Sequence, residues 1–215
     1  VNRAFTLIEL LIVIAIVGIL ASIMVPTIAS SNALSQTTKC KANQRQLVFG
    51  ATSYRNDHQA HPPSVVSMQV HWDDESILWQ YVDNAEGSML CPEHDDPIYS
   101  TTGYNYNAML GDEYQLGSGI TIKGISISDC PHPASCAMFG DGHDNKFMRA
   151  TQSNISIRCG GRQSFRHLGT TVIGWLDGHV STQERMYNNN CTDETFVGFL
   201  SEDNAAYDPR MLQLH

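Results

Sequence analysis

Charge is scarce in this sequence. Lys, Arg, Asp and Glu make up 16% of its 215 residues, against about 25% in an ordinary globular domain. The shortage is concentrated: from Thr6 to Val25 only Glu9 is charged. C-x-x-C pairs are also missing, although six cysteines are present. Zinc ribbons, thioredoxin-like redox centres and haem attachment therefore lack their usual signature. Basic residues are thin beyond position 59, where eight Lys and Arg face twenty Asp and Glu. An acidic surface does not track a phosphate backbone, so no nucleic acid binding is expected there. Residues 1–59 are instead mildly basic, which suits anionic lipid headgroups or an acidic neighbour. Apolar residues reach 42%, enough to exclude wholesale disorder.

The apolar run TLIELLIVIAIVGILASIMV, residues 6–25, is about 20 residues long, near what a ~30 Å hydrocarbon core requires. A secretory signal peptide would have a basic start, a shorter apolar run and a small-residue cleavage site after it. A plain anchor would fit the length but leaves Glu9 unexplained. A carboxylate in lipid is costly and marks a functional position by default. If the chain were cut between Ala4 and Phe5, the new α-amino group would lie four residues before Glu9, on the same helical face. Between staggered subunits, one chain's amine could meet the next chain's carboxylate and set an assembly register.

Ala4-Phe5-Thr6-Leu7-Ile8-Glu9-Leu10-Leu11 resembles the prepilin cleavage and methylation motif of type IV pilins and type II secretion pseudopilins. Gly18 and Pro26 fall where those families carry a helix-softening glycine and proline. The resemblance implies a leader of residues 1–4, removed before Phe5 by an inner-membrane prepilin peptidase, and N-methylation of Phe5. It implies that Glu9 recruits and registers the incoming subunit. Ala4 departs from the glycine usual before the cut.

After Pro26 the chain turns amphipathic. Leu34, Cys40, Leu47, Ala51 and Tyr54 approximate one helical face, with Lys39, Lys41, Gln44, Arg45 and Arg55 on the remainder. His61-Pro62-Pro63 should end the helix. The expected layout is a stem over 5–58, hydrophobic then amphipathic and roughly 80 Å long, followed by a head over 59–215. The expected fold class is α+β, with the head built on an antiparallel sheet.

Within the head, Asp73 could cap a short helix over 74–82. Val70–Trp72 reads as a short strand or turn, and 120–128 and 134–139 as strands; 194–200 suggests a helix. Asp177-Gly178 lies between two β-prone runs, Thr171–Leu176 and His179–Thr182. This predicts a hairpin with a type I′ turn. His167, nine further residues and Asp177-Gly178 resemble the H-x9-DG motif of a prepilin-associated domain of planctomycete- and lentisphaera-type bacteria. Pro62-Pro63, Trp79, Tyr81, Cys91-Pro92 and Tyr104–Asn107 are similar to the same group.

Three sets of side chains could carry chemistry. Residues Cys40, Cys91, Cys130, Cys136, Cys159 and Cys191 suit an exported, oxidising setting. Pairing Cys40 with Cys91, Cys130 with Cys136 and Cys159 with Cys191 is one connectivity; buried thiols are the alternative. His167 is expected to bond Asp177 and fix the hairpin, with a metal site at His167, Asp177 and His179 as the alternative. Asp141, Asp144 and Asn145 faintly suggest a calcium loop, but lack the EF-hand spacing; a plain turn is the simpler reading. No nucleophile has a recognised motif around it, so no enzyme is expected. The resemblance implies a structural pilin-like subunit: a single-pass inner-membrane precursor, then part of an extracellular homo-oligomeric filament at the cell surface. Its partners would be the prepilin peptidase and the pilus or secretion machinery. A type II secretion pseudopilin, and a membrane-anchored enzyme or binding module using a pilin-like targeting segment, are the rivals.

Overall fold

The computed structural model describes residues 6–66, 70–83, 85–94, 102–111, 114–116, 120–122, 130–143, 146–148, 161–188, 195–202 and 205–207. Helix α1, Leu7–His58, is one element of 52 residues, or about 78 Å at the usual rise. Thr6 caps its start. Gln59 ends it in a left-handed conformation at φ 57°, with its N–H on the Arg55 carbonyl; His61-Pro62-Pro63 follows. Residues 18–26, the stretch expected to soften, are helical throughout. Pro26 donates no backbone bond there. Hydroxyls on either side, Ser22 to Ile19 O and Thr27 to Ile23 O, bond back onto the helix.

The two halves of α1 meet different surroundings. Every residue from Thr6 to Asn32 is exposed. From Thr37 on, one face is covered: Thr37, Cys40, Gln44, Leu47, Val48 and Ala51 recur at helical spacing and are buried. Cys40, Leu47 and Ala51 match the expected face. Leu34 does not; it stays exposed.

The head is a five-stranded sheet with two small satellite sheets, and the fold is α+β. Its strands are β1 (Tyr104–Asn107), β2 (Tyr114–Leu116), β3 (Ile120–Ile122), β4 (Ala137–Asp141), β5 (Phe147–Met148), β6 (Gln163–Ser164), β7 (Thr171–Trp175), β8 (Val180–Gln183) and β9 (Val197–Gly198). The main sheet runs β5-β1-β4-β7-β8. It is antiparallel except for β5, which joins β1 in parallel. β2 pairs with β3, and β6 with β9.

α1 lies against the sheet at β7. Gly174 makes this approach possible, since a Cβ there would stand 2.6 Å from Val48 Cγ2 and 3.4 Å from Gln44 Oε1. Beneath the helix, Trp72, Tyr106 and Phe139 pack with ring centroids 5.1–5.9 Å apart. Trp72 Nε1 donates to Lys146 O and the Tyr106 hydroxyl to Pro62 O, so both aromatics are buried with their polar ends satisfied. A second cluster of Ala137, Met148, Ile173, Leu200, Ala206 and Tyr207 forms beside it.

Several expected elements differ. The helix over 74–82 is a run of turns, with a 3-10 turn only at Trp79–Tyr81. Asp74 Oδ1 accepts Ser76 N at 2.9 Å, a local bond that competes with helix, while Asp73 pairs with Lys146 at 2.7 Å instead of capping. Val70–Trp72 contributes a single bridge, His71 to Val65. The strand expected at 134–139 is β4, shifted onward because Pro133–Ser135 makes a 3-10 turn. Of 120–128, residues 120–122 form β3 and the rest lie outside the described residues. Of the segment 194–200, the described residues 195–200 contain β9 rather than a helix.

The β7–β8 hairpin forms, but its turn is not type I′. Gly178 N donates to Trp175 O at 3.0 Å, and Trp175 N to His179 O at 2.9 Å. Leu176 and Asp177 take the central positions, and only Gly178, at φ 101°, has positive φ. This is a type I turn followed by a glycine bulge.

Replacing Gly174 with Ala forces α1 off β7. It should destabilise the head by about 1–3 kcal/mol, read by chemical denaturation of the full chain in detergent. An unchanged midpoint would show that the helix does not depend on this close approach.

Candidate functional site

The first turn of α1 holds its carboxylate locally. Thr6 N and Thr6 Oγ1 donate to Glu9 Oε2 at 2.8 and 2.7 Å, and Glu9 N donates back to Thr6 Oγ1 at 3.3 Å. This is a reciprocal capping box. Ala4 and Phe5 lie outside the described residues. Beyond Glu9 the large apolar side chains as far as Ile28 are each at least half exposed. Among the described residues nothing lies within 4 Å of a Cβ built on Gly18, so no packing within the chain requires that glycine. This half of α1 is long and apolar enough to cross a membrane.

A second constellation lies where α1 meets the head. Cys40 comes from the buried face of α1, and Asp141 ends β4. Cys91 follows the short helix α2 (Ala85–Ser88), its N–H bonded to Thr102 O at 2.9 Å. His167 stands in a tight turn before β7. His167 and Thr170 exchange both backbone bonds, at 3.1 and 3.0 Å, around Leu168 and Gly169, whose φ are 54° and 81°. Positive φ at both central residues is the type I′ signature. It sends the imidazole inward.

All four side chains are buried, and one donor atom from each lies within 4.8 Å of the others. Cys40 Sγ is 3.2 Å from Asp141 Oδ1. Cys91 Sγ is 3.7 Å from His167 Nε2, which is 3.4 Å from Asp141 Oδ2. Asp141 also accepts from Gln44 Nε2 at 3.2 Å and Val172 N at 2.7 Å. On the far side of the ring, His167 Nδ1 is 3.2 Å from Glu93 Oε2, close but without hydrogen-bond alignment.

The electrostatics are those of a buried, mutually compensating set. Burial alone would lower the His167 pKa, but the Asp141 carboxylate and the Cys91 sulfur raise it to about 10. Burial works to raise that of Asp141, and the His167 hydrogen bond and Arg166 outweigh it, so it stays below the usual carboxylate value. The hydrogen bond from Cys40 brings the Cys91 thiol down to about 6. Burial and the neighbouring Cys91 push Cys40 strongly upward.

The expected contact between His167 and Asp177 is therefore corrected. The carboxylates beside His167 are Asp141 and Glu93. Asp177 Oδ1 instead pairs with His179 Nδ1 at 2.6 Å, on the surface, where the His179 ring stacks on Trp175. His167 and Asp177 stand at opposite ends of β7, so the nine-residue spacing is the length of the strand with its flanking turns. His167, Asp177 and His179 do not converge. Asp141 faces the core rather than a calcium loop; Asp144 and Asn145 lie outside the described residues.

The cysteines also depart from expectation. Cys40, Cys91, Cys130 and Cys136 are thiols, so neither the Cys40–Cys91 nor the Cys130–Cys136 bridge forms. Cys40 and Cys91 are brought together, their sulfurs within 4.8 Å, but not joined. Cys136 turns its sulfur toward Tyr207 O, at 3.8 Å. Cys159 and Cys191 lie outside the described residues. Sequence reasoning missed Gln44 and Glu93 as parts of a site. Glu93 had one signal, its place two residues after Cys91.

Residues 1–25 match the family described as the prokaryotic N-terminal methylation motif. The type IV major pilin protein PilA of Myxococcus xanthus is 45% identical over 53 residues, 25% of this chain and 24% of that protein. The competence protein ComGC of Bacillus subtilis is 33% identical over 68 residues, 32% of this chain and 69% of that protein. No solved structure matches the chain. The chain belongs to the type IV pilin-like proteins that carry the N-terminal methylation motif.

The two aspartates should behave oppositely. Asp141→Asn leaves His167 buried beside a neutral group and should cost about 3–5 kcal/mol. Asp177→Asn breaks an exposed pair and should cost about 1 kcal/mol or less. Denaturation midpoints of the two variants decide; equal losses would contradict the assignment of partners.

Proposed function

We propose that this chain is the structural subunit of a type IV pilus-like extracellular filament, assembled by packing of N-terminal helices. The observation that carries this reading is the uncovered half of α1. Large apolar side chains from Leu7 to Ile28 are left open by the described residues of the chain. They need lipid or like helices, and the loss of water from that surface drives either association. In the precursor the helix is a single pass through the inner membrane. A prepilin peptidase cuts before Phe5, whose amine is then methylated, and the assembly machinery passes the helix from lipid to the filament core. The acidic head faces outward.

Glu9 supplies the register. In the separate subunit its carboxylate is held by Thr6. In the filament it exchanges that partner for the α-amino group of a neighbouring Phe5, a charge-assisted bond. Gly18 and Pro26 give the packed helix its compliance. The head belongs with the H-x9-DG group; His167 and Asp177-Gly178 bracketing β7 support this. Its role is structural rather than catalytic. Cys91 lies beside His167 but is only 2% exposed, which favours a packing role over attack on a substrate.

Glu9→Ala should abolish filaments in electron micrographs of the native cells, while the purified subunit in detergent keeps the wild-type melting temperature. Abundant normal filaments from this variant would refute the reading. Fibre length in the same wild-type micrographs separates a pilus from a short pseudopilus.

A further inference from the structure

We propose that Cys40, Cys91, Asp141 and His167 form a binding site for a tetrahedral, thiophilic divalent cation, zinc by the chemistry of its donors, which ties the stem helix to the head.

The geometry is that of a coordination shell. Tetrahedral zinc, with bonds near 2.3 Å to sulfur and 2.0–2.1 Å to nitrogen or oxygen, places its donors roughly 3.3–3.8 Å apart. The separations are 3.2 Å from Cys40 Sγ to Asp141 Oδ1, 3.7 Å from Cys91 Sγ to His167 Nε2 and 3.4 Å from His167 Nε2 to Asp141 Oδ2, and one donor atom from each residue lies within 4.8 Å of the others, so the shell contracts by up to about 1 Å on binding. Two sulfurs, one imidazole nitrogen and one carboxylate select zinc over calcium or magnesium, which take oxygen shells. The four residues come from α1, the Cys91 loop, the end of β4 and the turn before β7. Such a site leaves no C-x-x-C signature.

The surroundings are also built for an ion. His167 Nε2 faces the cluster while Nδ1 faces Glu93 at 3.2 Å. With Nε2 on a metal, the ring carries its proton on Nδ1, and a carboxylate there is the usual orienting partner. Neither His167 Nδ1 nor Glu93 Oε1 has a hydrogen-bond partner among the described residues. Gln44 Nε2 and Val172 N hold the Asp141 carboxylate in place. Glu93 is the member of this set that reaches solvent, its side chain 16% exposed. Glu93, with Pro92, Arg166 and Leu168, lines a groove between head and stem, where Ala33 and Gln36 form the other wall.

Binding changes no oxidation state. The Cys40 and Cys91 thiol protons, and any proton on His167 Nε2, pass to solvent as the metal bonds form. Two thiolates and a carboxylate then set three negative charges against the cation's two, and the Arg166 guanidinium, whose charge acts on both Cys91 and Asp141, offsets the remainder.

The test uses the full chain in detergent, under reducing conditions, as the unassembled subunit; its outcome is therefore independent of whether filaments form. Elemental analysis should find one zinc per chain. Chelation should remove it and lower the melting temperature. Cobalt(II) added to the stripped protein should give the intense visible bands of a tetrahedral thiolate site. Cys40→Ser with Cys91→Ser should abolish uptake of both metals. If that variant does not fold, Glu93→Gln keeps all four ligands and should weaken zinc binding about 10- to 100-fold in chelator competition. The proposal is overturned if the reduced, folded wild-type chain takes up neither ion. Uptake unaffected by these substitutions overturns it, as does a Cys40–Cys91 disulfide in peptide maps of unreduced protein from native cells.

Discussion

The packing of the second half of α1 against the head is the contact on which the rest of the structure depends. The helix contributes Leu47, Val48 and Ala51 to the main core, and β7 yields space for it at Gly174. Without that face the sheet would show its apolar inner surface to water. Without the head, residues 37–51 would be a helix with an uncovered apolar stripe. Each half covers the apolar face of the other, so the stem from Thr37 onward packs into the same core as the head.

Apolar packing alone would leave the rotation of α1 weakly determined, because small shifts trade one aliphatic contact for another. Polar side chains remove that freedom. Asn43 Nδ2 donates to Leu90 O at 2.9 Å and to the Tyr104 hydroxyl at 3.2 Å. Gln44 Nε2 meets Val172 O at 2.9 Å as well as Asp141. Cys40 completes the set one turn earlier. These donors find acceptors at one rotation of the helix, and any other leaves them buried without partners. The same register brings Cys40 to Cys91, Asp141 and His167. Fixing the helix and assembling the donor cluster are thus a single geometric event.

What can be read from the sequence follows the range of the forces involved. The stem is legible because hydrophobicity, Glu9, Pro26 and the His61-Pro62-Pro63 stop are local signals; α1 runs Leu7–His58 against an expected 5–58. The β7–β8 hairpin is legible from Asp177-Gly178, though its turn is not, since a glycine serves a bulge as readily as a type I′ turn. The true type I′ geometry sits at Leu168-Gly169, where leucine at positive φ gives no signal. His167 is marked by its motif, but the motif points to the wrong aspartate. Proximity along the chain favours Asp177, whereas Asp141 is brought there only by the β4–β7 ladder. The cluster unites positions 40, 91, 141 and 167, and no spacing rule connects them.

On the filament reading, Thr6 acquires a role that the isolated helix does not disclose. A carboxylate in the first helical turn is already favoured by the helix dipole, and the capping box adds two hydrogen bonds to it. The subunit can therefore hold Glu9 in an apolar setting without a neighbour. That storage sets a threshold for assembly. An incoming subunit must offer the carboxylate more than Thr6 does. An uncharged donor would only match it, whereas a charged amine exceeds it, since ionic hydrogen bonds are about twice as strong as neutral ones. Addition is then favoured where the neighbour's amine is in register, and misplaced helices leave Glu9 with the partner it had. Selectivity of assembly comes from the difference between two satisfied states, not from the cost of an unsatisfied one.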